Sequence, residues 1–428
     1  MNTAYINLWD KRVGAVSWDA DRRFASFEYD SDFAASGWDI APVKMPIEQA
    51  GLIFSFPELS GTNTFKGLPG LLADELPDRY GNTLINTWLA KNGRDPDSMN
   101  PVEMLCFVGN RGMGALEFEP VNPKSADSST TLEISGLIEI ARDILNNRQD
   151  FSSKLTGDRE KSLLDIIKIG TSAGGARAKA LIAYNDETRE VRSGQTDAPE
   201  GFTHWIIKFD GVHDSQFGET YGYGRVEMAY HLMARESGIE MTDCRILEEE
   251  GRAHFMTKRF DRIPGTGKIH VQSWCAMSHV DFQDVGAHSY EGLFQMMRTL
   301  VLPYPQAEQL FRRMVFNVIA RNCDDHTKNF SFTMDKQGEW KLAPAFDICH
   351  AYRPGSLWVS KQSLSVNGKR ENFVRADLLN VAKQMNIKKA DQIISEIQSV
   401  VNQWPKFADQ AGVKPELKKE IGATLLKF

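Results

Sequence analysis

Long apolar runs are missing from this 428-residue sequence. No stretch approaches the roughly 18 uninterrupted apolar residues that a membrane helix needs, so no membrane role is expected. Cysteine is scarce. The five residues Cys106, Cys244, Cys275, Cys323 and Cys349 are odd in number and form no CxxC pair. Such spacing argues against a disulfide framework or a thiolate zinc site and fits reduced thiols in a cytosol. Positive charge is also short. A net charge of −7 gives the chain no overall pull toward nucleic acid and leaves only local basic patches for that purpose. The opening MNTAYINLWDKRVG has no basic stretch followed by an apolar one, so no signal peptide is expected. A soluble, cytoplasmic protein is the reading. Internal repeats and low-complexity tracts are absent too.

What is present is an ordinary globular composition. The apolar fraction of 42% supports a core of normal size. The length suggests two or three domains of about 100–200 residues each. Three short β patterns open the chain, TAYINLW, VGAVSW and RFASFEY, separated by the turn chemistry of DK and DADR. They predict a small antiparallel sheet or partial barrel. Residues 54–81 are rich in Gly and Pro and read as loop and short helix. NTLINTWLAKNG reads as a helix with Asn82 as N-cap and Gly93 past its end. NPKSADSSTT, residues 122–131, is the best linker, and a helical pattern, LEISGLIEIARDILNN, follows it. THWIIKFD is a strand with His204, Ile206 and Lys208 on one face. GRVEMAYHLMARESGI is a helix ending at Gly238, AHFMTKRFD another strand. Beyond about residue 285 the patterns are mostly helical.

The densest chemistry lies in RNCDDHTKNFSF, residues 321–332. Before it, Leu310, Met314, Val315 and Val318 recur at helical spacing, so a buried helix delivers the chain to Asp324. After it, FSFTM and EWKLA alternate around DKQG and predict a β-hairpin that returns the chain to Asp347. A tight hairpin brings Asn329 and Asp347 together. One carboxylate to take a hydroxyl proton, with an amide and a second carboxylate to hold Mg²⁺, is what phosphoryl transfer requires. Lys328 would balance charge on the moving phosphoryl group. The bland alternative is an acidic loop capped by its own backbone, with His326 satisfied in the core. A metal hydrolase finds no HxH or HExxH here.

Upstream, Lys208 sits mid-strand among Ile206, Ile207 and Phe209, where an ammonium needs a partner or a ligand. Glu227 on the next helix is a candidate, as a strand Lys and helix Glu hold ATP phosphates in protein kinases. An ordinary salt bridge is the plainer account. GTSAGGARAK, residues 170–179, offers Gly170, Gly174 and Gly175 for close backbone approach to phosphates. It is neither GxxxxGK[ST] nor GxGxxG, and a tight turn is the simpler reading. A phosphate on Ser172 would add about −1.5 to −2 charges and repel a nucleotide.

Taken together, these segments resemble the HipA family, the serine/threonine-kinase toxins of bacterial type II toxin–antitoxin modules. FKGLPGLLADELPDRYG, GTSAGGARAKALIAY, HWIIKFD, VEMAYHLMARESGIEM, HFMTKRFDR, NCDDHTKNFSF and LAPAFDICHAYRP follow in the family's order. The resemblance covers essentially the whole chain. It implies an α+β, protein-kinase-like two-lobed fold with a small N-terminal β subdomain and an all-helical C-terminal lobe. The expected segments are 1–121, 132–258 with the Gly-rich loop, and 259–428 with the catalytic and metal motifs.

The resemblance further makes Asp324 the catalytic base and Asn329 and Asp347 the Mg²⁺ ligands. Lys208 would contact the ATP phosphates, and Ser172 would be the autophosphorylation site that switches the kinase off. The implied partner is a HipB-like helix-turn-helix antitoxin dimer, which reads operator DNA. The implied targets are aminoacyl-tRNA synthetases, whose modification would arrest translation and favour persistence. This chain departs from the family in Asp325, directly beside the expected base. Spacing to Asn329 assigns the base to Asp324 and leaves Asp325 a supporting place. Two other readings stay open, a corepressor with little catalysis and a small-molecule kinase of the same fold.

Overall fold

The structure is a computed structural model and describes residues 1–96, 98–120, 140–141, 166, 170, 177–194, 198–212, 221–263 and 267–428. The chain clusters into two compact units. One holds residues 1–41, 45–224 and 245–271, the other residues 42–44, 225–244 and 272–428.

Among the described residues the first unit contains two five-stranded antiparallel sheets and a short two-stranded one, Arg262–Ile263 with Gly267–Lys268. The N-terminal one has the order Phe54–Ser55, Phe24–Tyr29, Lys11–Asp19, Thr3–Leu8, Leu116–Glu119. Ala4, Ile6 and Leu8 alternate inward and are fully buried, as a half-buried strand requires. Trp9 and Asp10 both have positive φ, 48° and 65°, which gives the two-residue turn the twist a hairpin needs. Gly14 is obligatory because a Cβ there would stand 2.1 Å from the Glu28 carbonyl oxygen. The helix Arg79–Lys91 begins earlier than the sequence suggested. Its N-cap is Asp78, whose carboxylate accepts from the Gly81 N–H at 2.7 Å. Asn82 lies inside the first turn and donates to the carbonyls of Pro77 and Asp78. An ionised carboxylate is a pure acceptor, which suits the orphan N–H groups of a helix start.

The second sheet has the order Val191–Ser193, Lys179–Asn185, Phe202–Lys208, Arg252–Lys258, Cys244–Glu249. The edge strand Val191–Ser193 pairs antiparallel with Lys179–Asn185. The linker at 122–131 lies outside the described residues.

The second unit is built mainly of helices, with one hairpin. Its principal helix, Tyr304–Ile319, buries Leu310, Met314, Val315 and Val318, as their spacing demanded. The compact units cut the chain differently from the three segments read from sequence. From Arg225 on, the helix Tyr223–Glu236 clusters with the C-terminal residues. Tyr230 explains this: its hydroxyl donates to the Ala320 carbonyl at 2.6 Å and its ring meets Phe316 and Trp404 edge-on. Residues 259–271 cluster with the first unit, because Asp261 and Arg262 bond the backbone of Gly114. Among the described residues no helix is long and apolar enough to cross a membrane.

Candidate active site

The helix Tyr304–Ile319 hands the chain to a loop that is tied down on several sides. Asn322 forms a parallel bridge with Ala351, and the Cys323 N–H donates to the Ala351 carbonyl at 3.1 Å. Thr327 Oγ1 donates to the Val280 carbonyl at 2.9 Å. A 3-10 turn, Thr327–Asn329, closes the loop, and Asn329 Nδ2 donates to the backbone oxygen of Asp324 at 2.7 Å. That bond uses the amide N–H and leaves Asn329 Oδ1 as the oxygen to offer elsewhere.

The expected hairpin is present. Ser331–Met334 pairs with Trp340–Leu342, with Phe332 opposite Leu342. Asp335 Oδ1 accepts from the N–H groups of Gln337 and Glu339 and fixes the turn. The returning strand leads to Asp347, which has a left-handed φ of 52°. Aspartate is one of the few side chains that tolerate this region. Just before it, Ala345 is bridged to Met241, and its N–H donates to the Glu240 carbonyl at 2.8 Å. Asn329 and Asp347 line one small cavity with Arg313, Asn317, Asn322 and Asp325.

The two adjacent aspartates face different surroundings. Asp324 keeps 35% of its side chain exposed, and His326 Nε2 stands 3.9 Å from its Oδ1. His326 and Lys328 gather on Phe282, with ring centres 5.2 Å apart and the Lys328 ammonium 5.3 Å from the ring. Asp325 is 1% exposed. Its Oδ2 accepts from the Tyr290 hydroxyl at 2.7 Å and Gln362 Nε2 at 3.0 Å, and its Oδ1 from the Ser363 N–H at 2.7 Å. Tyr290 in turn accepts from Asn317 Nδ2 at 3.0 Å, and Asn317 Oδ1 accepts from Asn322 Nδ2 at 3.0 Å. This network pulls Asp325 inward and so turns its neighbour outward.

Burial pushes the Asp325 carboxyl up to about 7, against the pull of its hydrogen-bond donors. The fold therefore holds this proton more tightly than the unfolded chain does. Its contribution to stability is complete below about pH 4 and is lost as pH rises through about 7. Urea midpoints of the wild type are expected to fall between pH 5 and pH 8, and Asp325→Asn is expected to flatten that slope. An unchanged slope in the variant would assign the proton to another group.

Among the described residues no group of three or more His, Cys, Asp or Glu is placed to cage a metal. Asn329 and Asp347 nevertheless offer hard oxygens on one cavity. That donor set suits Mg²⁺, which keeps several waters and shares its ligands with substrate phosphates.

Lys208 belongs to the first unit. Trp205 and Ile207 on its strand are fully buried, and Lys208 lies on the other, half-buried face with His204 and Ile206. It stands opposite Lys179 on one neighbouring strand and opposite Phe255 on the other, its ammonium 5.7 Å from the Phe255 ring. Lys179 was not singled out by the sequence reading. It is 3% exposed and 3.7 Å from the Asp78 carboxylate. A lysine opening the wholly apolar run ALIAY was the available signal. Past Lys208, Asp210 accepts from the N–H groups of Gly222 and Ala253, and its own N–H donates to His254 Nδ1. Glu227 is buried on its helix and belongs to the second unit. Ser172, Gly174 and Gly175 lie outside the described residues.

The sequence reading also passed over Tyr290 and Arg313. Tyr290 gives no local signal, since its role depends on a contact 35 positions away. Arg313 did give one. It falls three residues after Leu310 and four before Asn317, on the buried stripe of its helix.

Comparison with known proteins locates two family domains here. Residues 4–119 match the HipA N-terminal domain, and residues 171–404, more than half the chain, match the HipA-like C-terminal domain. The serine/threonine-protein kinase toxin HipA of Shewanella oneidensis is 21% identical over 371 residues, covering 81% of this chain and 74% of that protein. A protein of Sinorhizobium fredii named "Putative kinase Y4mE" is 26% identical over 58% of this chain. The chain spans 57% of the length of that relative and 44% of a second one, Y4dM. Among solved structures, the complex of S. oneidensis HipA, HipB and operator DNA contains a similar chain. It gives a TM-score of 0.68 at 17% identity, over 98% of this chain and 94% of that one.

Proposed function

The chain belongs to the HipA family, and from that premise we propose that it is an ATP- and Mg²⁺-dependent serine/threonine protein kinase acting as the toxin of a toxin–antitoxin pair. The observation that carries this reading is the split between Asp324 and Asp325. Asp325, on the wall of the Asn329–Asp347 cavity, is buried and fully hydrogen-bonded, while Asp324 next to it in the chain keeps 35% of its side chain exposed.

In the proposed reaction Asp324 accepts the proton of a serine hydroxyl. The serine oxygen bonds to the γ-phosphorus as the bond to the ADP oxygen breaks. Asn329 Oδ1 and the Asp347 carboxylate would hold Mg²⁺, which supplies charge neutralisation on the phosphates. Lys328 adds positive charge on the same turn. Lys208 is the proposed contact to the ATP phosphates, and Gly174 and Gly175 are the proposed phosphate-covering glycines. Ser172 is the chain's own target, and its phosphate would disfavour ATP binding by like charge.

The external substrate in this reading is an aminoacyl-tRNA synthetase, and the outcome growth arrest or persistence. The partner is a HipB-like antitoxin dimer. A net charge of −7 supports operator contact made mainly through that dimer.

Intact mass after incubation with ATP and Mg²⁺ tests the proposal. One added phosphate is expected, mapping to Ser172 and absent from Ser172→Ala. Failure to bind ATP or to acquire phosphate would favour a corepressor with little catalysis.

A further inference from the structure

Lys179 poses a problem of charge. It is 3% exposed and stands directly opposite Lys208 on the neighbouring strand. Lys179 opens its strand and Lys208 closes its own, so both cations lie on one face at one end of the second sheet. Like charges directly across an antiparallel pair repel, and burial strengthens the repulsion.

Asp78 offsets it. Its Oδ2 lies 3.7 Å from the Lys179 ammonium, with 11% of the Asp78 side chain exposed. Its Oδ1 accepts from the Gly81 N–H at 2.7 Å and caps the helix Arg79–Lys91. A helix N-terminus and a buried ammonium each favour an anion, and this carboxylate serves both. Close packing fixes the arrangement. A Cβ on Gly170 would stand 2.7 Å from Leu84 Cδ1 and 3.3 Å from the Lys179 carbonyl oxygen, so only glycine lets the helix and the strand start approach this far. Asp78 falls within the match to the HipA N-terminal domain and Lys179 within the match to the C-terminal one.

A buried ion pair is by itself a weak source of stability. Beside a second lysine it gains another use. Two ammoniums on one face suit an anion with several charges, which relieves their repulsion as it binds. Resting on the kinase reading, in which Lys208 contacts the ATP phosphates, we infer that Asp78 is a positioning residue for nucleotide binding. It holds the Lys179 ammonium on the face of Lys208, so that a polyphosphate meets two cations there. Asp78 acts through Lys179 and does not touch the nucleotide. The N-terminal family domain thereby supplies a residue on which ATP affinity in the other domain depends.

The test uses the full chain. ATP affinity is measured by calorimetry with Mg²⁺, and the thermal midpoint without nucleotide. Asp78→Asn keeps a good helix cap and removes the counter-charge. It should weaken ATP binding about tenfold, the size of one hydrogen bond to a charged group. Lys179→Met should do the same, and the double variant should bind ATP no more weakly than Lys179→Met alone. A purely structural Asp78 would lower the midpoint and leave ATP affinity unchanged. That result would overturn the inference. So would an equal further loss when Asp78→Asn is added to Lys179→Met. If Asp78→Asn does not fold, Asp78→Glu decides: it keeps the charge, moves it by one methylene, and should lower the affinity only while Lys179 is present. Lys208→Met separates the two proposals. Lost binding there with wild-type binding in Asp78→Asn would leave the kinase reading standing and overturn this inference alone. A wild type that binds no ATP would overturn both.

Discussion

Asp324→Asn is expected to lower phosphoryl transfer by about 10²–10⁴-fold, the usual cost of losing a general base. The substitution is nearly isosteric and should spare the loop. Asn329 anchors to the backbone oxygen of residue 324, not to its side chain. The neighbouring network runs through Asp325, Tyr290 and Gln362. The thermal midpoint and ATP affinity should therefore stay close to wild type while phosphate incorporation collapses. Intact mass after a fixed time with ATP and Mg²⁺ reads the outcome. Full activity in this variant would remove Asp324 as the base. Lost activity with a lowered midpoint would show damage to the loop instead. Asp325→Asn is the matched comparison, since it alters the buried side of the same dipeptide.

How legible was this arrangement? The helix into Asp324 and the hairpin out of Asn329 were readable because both depend on local periodicity, 3.6 in one case and 2 in the other. The second tie between the two motifs was not. The bridge from Asn322 to Ala351 joins residues 29 positions apart through backbone alone, and no side-chain pattern announces it. The inward turn of Asp325 depends on Tyr290 and Gln362, which are ordinary residues in their own segments. The helix start at Asp78 was misread because Asn and Asp are both good caps, and the sequence places them four apart in DRYGN. Arg313 shows the reverse case. Its position on an apolar stripe is visible in the sequence, next to Arg312, which pairs with Glu308 and Glu396.

Asp261→Ala is expected to destabilise the first unit by about 3–5 kcal/mol, the range for breaking a buried ion pair by removing one partner. Asp261 is fully buried between two guanidiniums. Its oxygens accept from Arg259 Nε at 2.8 Å and Nη2 at 2.6 Å, from Arg262 Nη1 at 2.7 Å, and from the Gly114 N–H at 2.7 Å. The same arginines donate to the carbonyls of Gly112 and Gly114, which lead into the strand Leu116–Glu119 of the N-terminal sheet. Removing the carboxylate leaves two buried cations facing each other and a backbone N–H without its acceptor. Burial alone would push the Asp261 carboxyl up, but Arg259, Arg262 and the Gly114 amide together hold it well below the usual carboxylate range. Its contribution is therefore complete above about pH 4, the unfolded value, and is lost as pH falls below that. This is opposite in sign to the slope expected from Asp325, so the two carboxylates can be told apart in one pH series. The gap in urea midpoint between the wild type and Asp261→Ala should therefore be wide at pH 7 and narrower at pH 3. If the variant lost less than about 1 kcal/mol at pH 7, the cluster would be a solvated pair worth no more than a surface ion pair. The join between Gly112–Gly114 and the segment 259–262 would then have to rest on the apolar packing around it.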